Sequence, residues 1–248
     1  MLRVTELANQ CHFPSYECAV IAAVSKIFLL KTLCGSNLDM FCTSDNLAPK
    51  DGELFHLKGF YPKPEADHLF ETLINNLAWQ EEAIWLFGRW VKVPRLMCWY
   101  GDPQARYTYS KVEHIPLAWT PDLIGIRQRL EKTCGHSFNS VLANLYRDGK
   151  DSMGCHADNE KELGPNPVIA SVSFGDHRIF RLSHNTTKYR IDLDLEHGDL
   201  VVMAGRLQNH WRHSVPKTKQ IKTQRINLTF RQVLTVENRA EKEQEREA

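Results

Sequence analysis

Residues 189–203 read YRIDLDLEHGDLVVM, and their spacing decides the architecture. Ile191, Leu193 and Leu195 alternate with charged residues, which is the period of a strand with one buried face. His197-Gly198-Asp199 then supplies a turn, and LVVM starts a second strand. Working outward, VIASVSFG (168–175) is rich in β-branched residues and ends at Gly175-Asp176. That pair signals a hairpin, with RIFRL (178–182) expected to return beside it. SFNSVLANLY (137–146) sets Val141, Ala143 and Leu145 against Leu142, Asn144 and Tyr146. RINLTFRQV (225–233) closes the series. Short strands at this spacing predict a sandwich or jelly-roll barrel.

Two helices precede the strands. KPEADHLFETLINNLAW (63–79) places Leu69, Phe70, Leu73, Ile74 and Leu77 on one face, with Pro64 in the first turn. TPDLIGIRQRLEKTCG (120–135) offers Thr120 as N-cap, Pro121 at the first helical position and Gly135 past the end. Leu123, Leu130 and Cys134 would face inward. Both helices are expected on the outer face of the barrel. Residues 1–50 differ in composition and read as an N-terminal extension of unassigned role. Residues 51–235 form the expected domain, and residues 236–248 a polar, solvated tail.

A chain of 248 residues has room for one ordinary domain plus extensions, or for two small domains. Its formal net charge of +1 means that nucleic-acid binding would need local basic patches. Seven cysteines, an odd number with no C-x-x-C, argue against a disulfide framework and for a reducing compartment. Four of them fall before residue 45, near His12, but at spacings too wide for a usual zinc site. The most apolar stretch, CAVIAAVSKIFLLKTLC (18–34), is interrupted by Lys26 and Lys31. It falls short of a membrane span and lacks the basic start of a secretory signal, so it reads as an apolar helix ending at Gly35. No membrane association is expected. The location would be intracellular, in the nucleus of a eukaryote or the cytoplasm of a bacterium, and the protein a monomer.

The chemistry begins at DSMGCHADNEKELG (151–164). On or just off a strand, His156 and Asp158 are two apart and share a face, so both can reach one ion. A third ligand must come from elsewhere, and NHWRHSVP (209–216) offers His210 and His213. Two histidines and one carboxylate leave coordination positions open, as in non-haem Fe(II) oxygenases. An isolated H-x-D is equally a pair of surface residues. The last strand carries Arg225, Asn227, Thr229 and Arg231 in steps of two, as Asn144 and Tyr146 are in theirs. All can line one interior, where a polar stripe without partners would be costly.

NLYRDGKDSMGCHADNE and HSVPKTKQIKTQRINLTFRQV together resemble the AlkB family of Fe(II)/2-oxoglutarate-dependent dioxygenases, in particular its animal members that repair alkylated DNA. The likeness covers roughly residues 55–235, and R-x-N-L-T-F-R at Arg225–Arg231 is its most specific piece. It implies an α+β fold, a double-stranded β-helix (jelly-roll) core with flanking helices and an N-terminal β-hairpin lid. It implies His156, Asp158 and His213 as metal ligands. His213 is chosen over His210 because the family's distal ligand stands twelve residues before the first arginine of that motif, as 213 does before 225. His210 is then a neighbour with a packing or phosphate role. Arg225 and Arg231 would take the two carboxylates of 2-oxoglutarate, since a guanidinium fork pairs bidentately with such groups. The resemblance adds Asn144, Tyr146, Asn227 and Thr229 to that site.

The stretch IWLFGRWVKVPRLMCWYGDP (84–103) interleaves Phe87, Trp90, Trp99 and Tyr100 with Arg89, Lys92 and Arg95. Aromatics stack on bases and cations meet phosphates. The same pattern also describes a hydrophobic hairpin with a charged outer face. The resemblance makes Phe87 the finger that fills the gap left by a flipped base, with Gly88 and Arg89 beside it. It places Tyr107, Thr108 and Tyr109 at the base, along with Asn159 and Glu160. The family's relatives read Asp-Asp-Glu where this chain reads Asp158-Asn159-Glu160. An amide donates as well as accepts, so base choice turns on Asn159. Lys217, Lys219 and Lys222 form a basic run that would track a backbone or be simply solvated. The activity implied is oxidative demethylation of 1-methyladenine and 3-methylcytosine in DNA. It uses Fe(II), O2 and 2-oxoglutarate and releases formaldehyde and succinate. RNA or a non-nucleic-acid substrate is the alternative. A zinc hydrolase would share the His and Asp ligands but has no use for the arginine pair.

Overall fold

The computed structural model describes residues 45–86, 88–105, 107–109 and 112–234. The apolar stretch 18–34, the N-terminal cysteines, Phe87 and the polar tail lie outside the described residues. The strands are β1 (Glu53–Leu57), β2 (Gln80–Leu86), β3 (Arg89–Gly101), β4 (Tyr107–Tyr109), β5 (Val112–His114), β6 (Ser140–Tyr146) and β7 (Met153–His156). They continue as β8 (Ile169–Gly175), β9 (Arg178–His184), β10 (Arg190–Leu195), β11 (Leu200–Ala204), β12 (Trp211–Val215) and β13 (Arg225–Arg231). The helices are α1 (Lys63–Asn76), α2 (Pro121–Cys134) and the one-turn α3 (Leu207–His210).

A seven-stranded sheet runs β1-β11-β8-β13-β6-β3-β2, and a four-stranded sheet runs β10-β9-β12-β7. All their ladders are antiparallel. From β6 to β13 the chain alternates between the sheets, apart from the β9–β10 pair, and this exchange makes the core a jelly roll. β1 extends one edge of the larger sheet, and the β2–β3 hairpin extends the other. That hairpin is the expected N-terminal lid. β4 and β5 form a separate two-stranded ladder.

One expectation is overturned. Gly175-Asp176 does not close a hairpin, because β8 lies in the large sheet and β9 in the small one. The chain turns a corner there instead. Gly175 has φ 88°, and a Cβ would strike the Gln224 carbonyl oxygen at the start of β13. The turn at 197–199 also changes sheets, from β10 to β11. Gly198 has φ 86°, and a side chain there would strike the Tyr61 carbonyl.

The alternating residues seen in the sequence fill the space between the sheets. Leu54, Ile169, Val201 and Met203 of the large sheet meet Phe180, Leu182, Leu195 and Trp211 of the small one in a single cluster. Each fully buried side chain of this size stabilises the fold by about 1.5–3 kcal/mol. α1 packs on β8, burying Leu73 together with Ala66, which the periodicity had left out. α2 is capped as its sequence predicts: the Thr120 side chain accepts from the Leu123 N–H at 3.3 Å, and Gly135 takes φ 60°. Leu123, Ile126 and Leu130 are its buried residues, while Cys134 is only half-buried.

Candidate active site

Antiparallel pairing of β7 with β12 sets His156 directly opposite His213. Their rings lie 4.3 Å apart between centroids. Asp158, two residues beyond His156, turns back toward both. Its Oδ1 is 3.5 Å from His156 Nε2, and its Oδ2 is 4.0 Å from His213 Nε2. Ligand atoms of the three residues all fall within 4.8 Å of one another.

Protonation decides what this cluster can hold. His156 Nδ1 lies 2.9 Å from the Gly154 carbonyl, which can only accept. Nδ1 therefore carries a proton, and Nε2 is turned to the Asp158 carboxylate. Burial alone would lower the His156 pKa, but that carboxylate outweighs it and raises the pKa. Burial, reinforced by the neighbouring His156 and Arg231, pushes the His213 pKa down to about 3, so this ring is neutral. Burial alone would raise the Asp158 carboxyl, but Arg231, His156 and His213 outweigh it and hold it well below the usual carboxylate range. Arg231 Nη2 donates to Asp158 Oδ2 at 2.8 Å. The Asp158 backbone N–H donates to Gln208 Oε1 at 2.9 Å. At 3.5 Å, His156 Nε2 and Asp158 Oδ1 can share a proton or, once Nε2 is deprotonated, a metal cation. The donor set of two nitrogens and one oxygen suits a divalent transition metal with open positions.

His210 stands apart from these three. It ends α3, and its ring lies parallel to His184, with centroids 6.1 Å apart. Asp51, His184 and His210 form a second cluster by proximity. In it, His184 Nδ1 accepts from the Thr186 and Thr187 N–H groups at 3.3 and 3.2 Å. The proton is thus on Nε2, which donates to Asp51 Oδ2 at 3.2 Å. This arrangement is a hydrogen-bonded clasp and leaves His184 no lone pair for a metal.

Behind the first cluster, β13 lies between β6 and β8 and turns its alternate polar residues inward. Arg225 is opposite Tyr146, and Asn227 is opposite Asn144. Arg225, Asn227, Thr229 and Arg231 are all buried. Arg225 Nη2 donates to Ser173 Oγ at 2.8 Å, and the guanidinium lies 5.2 Å over the Tyr146 ring. Its Nε and Nη1 are buried with no acceptor among the described residues. Burial lowers its pKa only to about 10, so it stays cationic at neutral pH. Asn227 Nδ2 donates to Ser171 Oγ at 2.8 Å, and Thr229 Oγ1 donates to Asn227 Oδ1 at 3.2 Å. Ser171 and Ser173 escaped notice because serines two apart on an apolar strand carry no signal of their own. A cavity reaches from His156, Asp158 and His213 to Tyr146, Arg225 and Asn227. Its charged end suits an anion.

A second cavity opens outward from His156, Asp158 and Arg231, between Glu82, Arg95, Trp99 and Glu160. Arg95, Met97 and Trp99 alternate along β3 and are buried. The interleaved aromatic and basic stretch is thus divided. Arg95 and Trp99 line this cavity, and the Tyr100 hydroxyl accepts from the Ala78 N–H. Gly88, Arg89, Trp90 and Lys92 are exposed near the hairpin end, where Lys92 pairs with Glu81 at 2.6 Å. Asn159 and Glu160 diverge. Glu160 Oε2 is buried with no donor among the described residues, whereas Asn159 lines a separate depression with Cys155, Asn185 and Arg212. Tyr107, Thr108 and Tyr109 form β4, and their side chains lie outside the described residues. Lys217 and Lys219 are exposed, but Lys222 is tied to Asp176 at 3.3 Å.

Residues 53–231 match the family model described as the 2OG-Fe(II) oxygenase superfamily. The bovine (Bos taurus) alpha-ketoglutarate-dependent dioxygenase alkB homolog 3 is 40% identical over 185 residues, covering 71% of this chain and 64% of the bovine one. This chain thus spans a little under two thirds of that relative's length. The mouse (Mus musculus) DNA oxidative demethylase ALKBH2 is 38% identical over 185 residues, covering 70% of this chain and 77% of the mouse one. Its Arabidopsis thaliana namesake is 34% identical over 209 residues, covering 73% and 67% of the two chains. Among solved structures, that of OsALKBH1 superposes with a TM-score of 0.53 at 18% identity, covering 72% of this chain and 97% of the other. That likeness concerns the fold alone.

Proposed function

This chain belongs to the AlkB family within the 2OG-Fe(II) oxygenase superfamily, and from that premise we propose that it removes methyl groups oxidatively from 1-methyladenine and 3-methylcytosine in DNA. His156, Asp158 and His213 are the ligands in this reading. Bound there, Fe(II) with O2 and 2-oxoglutarate supplies the hydroxylation of the N-methyl carbon, with release of succinate, carbon dioxide and formaldehyde.

The remaining tasks fall to the chain's own side chains. Arg225, with two buried donors to spare, receives the distal carboxylate of 2-oxoglutarate. Tyr146, Asn144, Asn227 and Thr229 complete that cradle. Arg231 keeps Asp158 ionised and aimed at the metal. Glu160 faces the positively charged methylated base in the outer cavity. Trp99 and Leu142 give the base an apolar wall and exclude water. Phe87 and Gly88, which link β2 to β3 in sequence, and Arg89 act on the DNA once the base has left the stack. Tyr107, Thr108 and Tyr109 border the base, and Asn159 contacts the nucleotide from the adjoining depression. The site of action is the nucleus in a eukaryote and the cytoplasm in a bacterium.

The observation that carries this reading is the convergence of one ligand atom each from His156, Asp158 and His213 within 4.8 Å of one another, in front of a buried arginine pair. The test is formaldehyde release from matched single- and double-stranded DNA and RNA oligonucleotides carrying each methylated base. Release from DNA is expected, and its abolition by His156→Ala with an unchanged circular dichroism spectrum. Persistent release by that variant would sink the iron assignment. Release from RNA alone would move the substrate.

A further inference from the structure

Arg95 lines the outer cavity. Its Nε donates to Asn144 Oδ1 at 2.6 Å, and its Nη1 donates to the Ser152 carbonyl at 3.2 Å. Both contacts are inside the protein, where Arg95 is 7% exposed and Asn144 fully buried. A guanidinium has only donors, so the Asn144 atom that meets it must be the oxygen. The amide can turn no other way without setting N–H against N–H. Its Nδ2 is therefore directed away from Arg95, and that atom is buried with no acceptor among the described residues. Asn144 lies between Leu142, on the outer cavity, and Tyr146, on the inner one. Its neighbours across the sheet are Met97 and Asn227, which line the outer and inner cavities respectively.

We propose that Arg95 is a positioning residue for 2-oxoglutarate: it locks the Asn144 amide with its nitrogen toward the co-substrate. The inference rests on the 2-oxoglutarate reading of the inner cavity. Arg95 is itself held from the far side. Ser152, whose carbonyl takes Nη1, donates its own N–H to the Pro94 carbonyl at 3.0 Å and directly precedes β7. One guanidinium thus joins β3, the Asn144 amide and the start of the strand that ends in His156. An unlocked Asn144 could present its carbonyl oxygen to the carboxylate of 2-oxoglutarate, replacing attraction by repulsion.

The test uses the full chain loaded with Mn(II), which leaves 2-oxoglutarate unreacted, and reads its binding by titration calorimetry. Arg95→Met should weaken 2-oxoglutarate about tenfold or more. Arg95→Lys, which can still donate to Asn144 Oδ1, should retain part of the affinity. Asn144→Ala should weaken it similarly, and Arg95→Met added to Asn144→Ala should change little further, because one residue acts through the other. Equal binding by wild type and Arg95→Met would overturn the proposal, and so would losses that multiply in the double variant. A rise in KM for methylated oligonucleotide with unchanged 2-oxoglutarate affinity would make Arg95 a base contact instead. Should Arg95→Met fail to fold, Arg95→Lys in the presence and absence of Asn144→Ala carries the same comparison. If wild type itself binds no 2-oxoglutarate, it is the reading of the inner cavity that fails.

Discussion

Arg231 shows how one side chain joins two halves of a site. It stands on β13 among the polar residues of the inner cavity, yet it donates to the Asp158 carboxylate at 2.8 Å. Without the guanidinium, burial would drive that carboxyl upward and favour its neutral form, a poorer metal ligand. Arg231→Met is therefore expected to weaken Mn(II) binding by about 10–100-fold, the usual effect of removing a group that orients a ligand. Calorimetric titration of the metal alone checks this, and unchanged affinity would return Arg231 to 2-oxoglutarate only. At this scale the sequence shows which residue types are present but not their pairing. His156-Ala157-Asp158 and the alternating arginines stood out by spacing. The Gly154 carbonyl that fixes the His156 tautomer and the Gln208 amide that holds the Asp158 N–H did not. A backbone carbonyl leaves no mark on sequence, and Gln208 lies fifty positions from its partner.

Elements were legible where their signals are local. The Thr120 cap and the Gly135 terminus of α2 are contacts within one turn of chain, and both are present. Sheet membership is not local. Gly175-Asp176 and His197-Gly198-Asp199 both read as turns, and nothing nearby distinguishes a hairpin from a corner between sheets. The second corner is secured by long-range contacts. Asp199 is buried and accepts from the Gly59 N–H at 2.8 Å, the Glu196 N–H at 2.9 Å and the His56 ring at 2.8 Å. Burial alone would raise its carboxyl, but these partners hold it below 3.8. Its folded pKa is below the unfolded one, so its stabilisation is present above pH 3.8 and is lost as pH falls through the folded value. Asp199→Asn should cost about 1–3 kcal/mol at pH 7, and its deficit against wild type should hold down to pH 3.8 and narrow as the pH falls below that value. Gly198→Ala, forced into a positive φ against the Tyr61 carbonyl, should cost at least about 2 kcal/mol at every pH. Urea midpoints across that range separate the two behaviours.

At the scale of the whole molecule, the jelly roll divides the site between its sheets. His156 and His213 belong to the four-stranded sheet, and Arg225 and Arg231 to the seven-stranded one. The hydrogen bond from Arg231 to Asp158 joins the two sets directly. Strand alternation made each half readable, because residues two apart must share a face. It could not say that the halves face each other, since that depends on how eight strands are dealt between two sheets. Metal on one wall and 2-oxoglutarate against the other would tie the sheets together, and ligands that bind only the folded state stabilise it by mass action. At about 100 times the dissociation constant the gain is about 2.7 kcal/mol per ligand. For a chain of this size that corresponds to roughly 5–10 °C in Tm. Mn(II) alone should give part of the shift, and 2-oxoglutarate should add to it only when Mn(II) is present, because it reaches Arg225 best from the metal. His156→Ala should keep the Tm of the metal-free protein within a few degrees and lose both increments. Arg225→Met should keep the first increment and lose the second. If 2-oxoglutarate raised the Tm of Arg225→Met as it does that of wild type, the anion would be held somewhere other than between the two sheets.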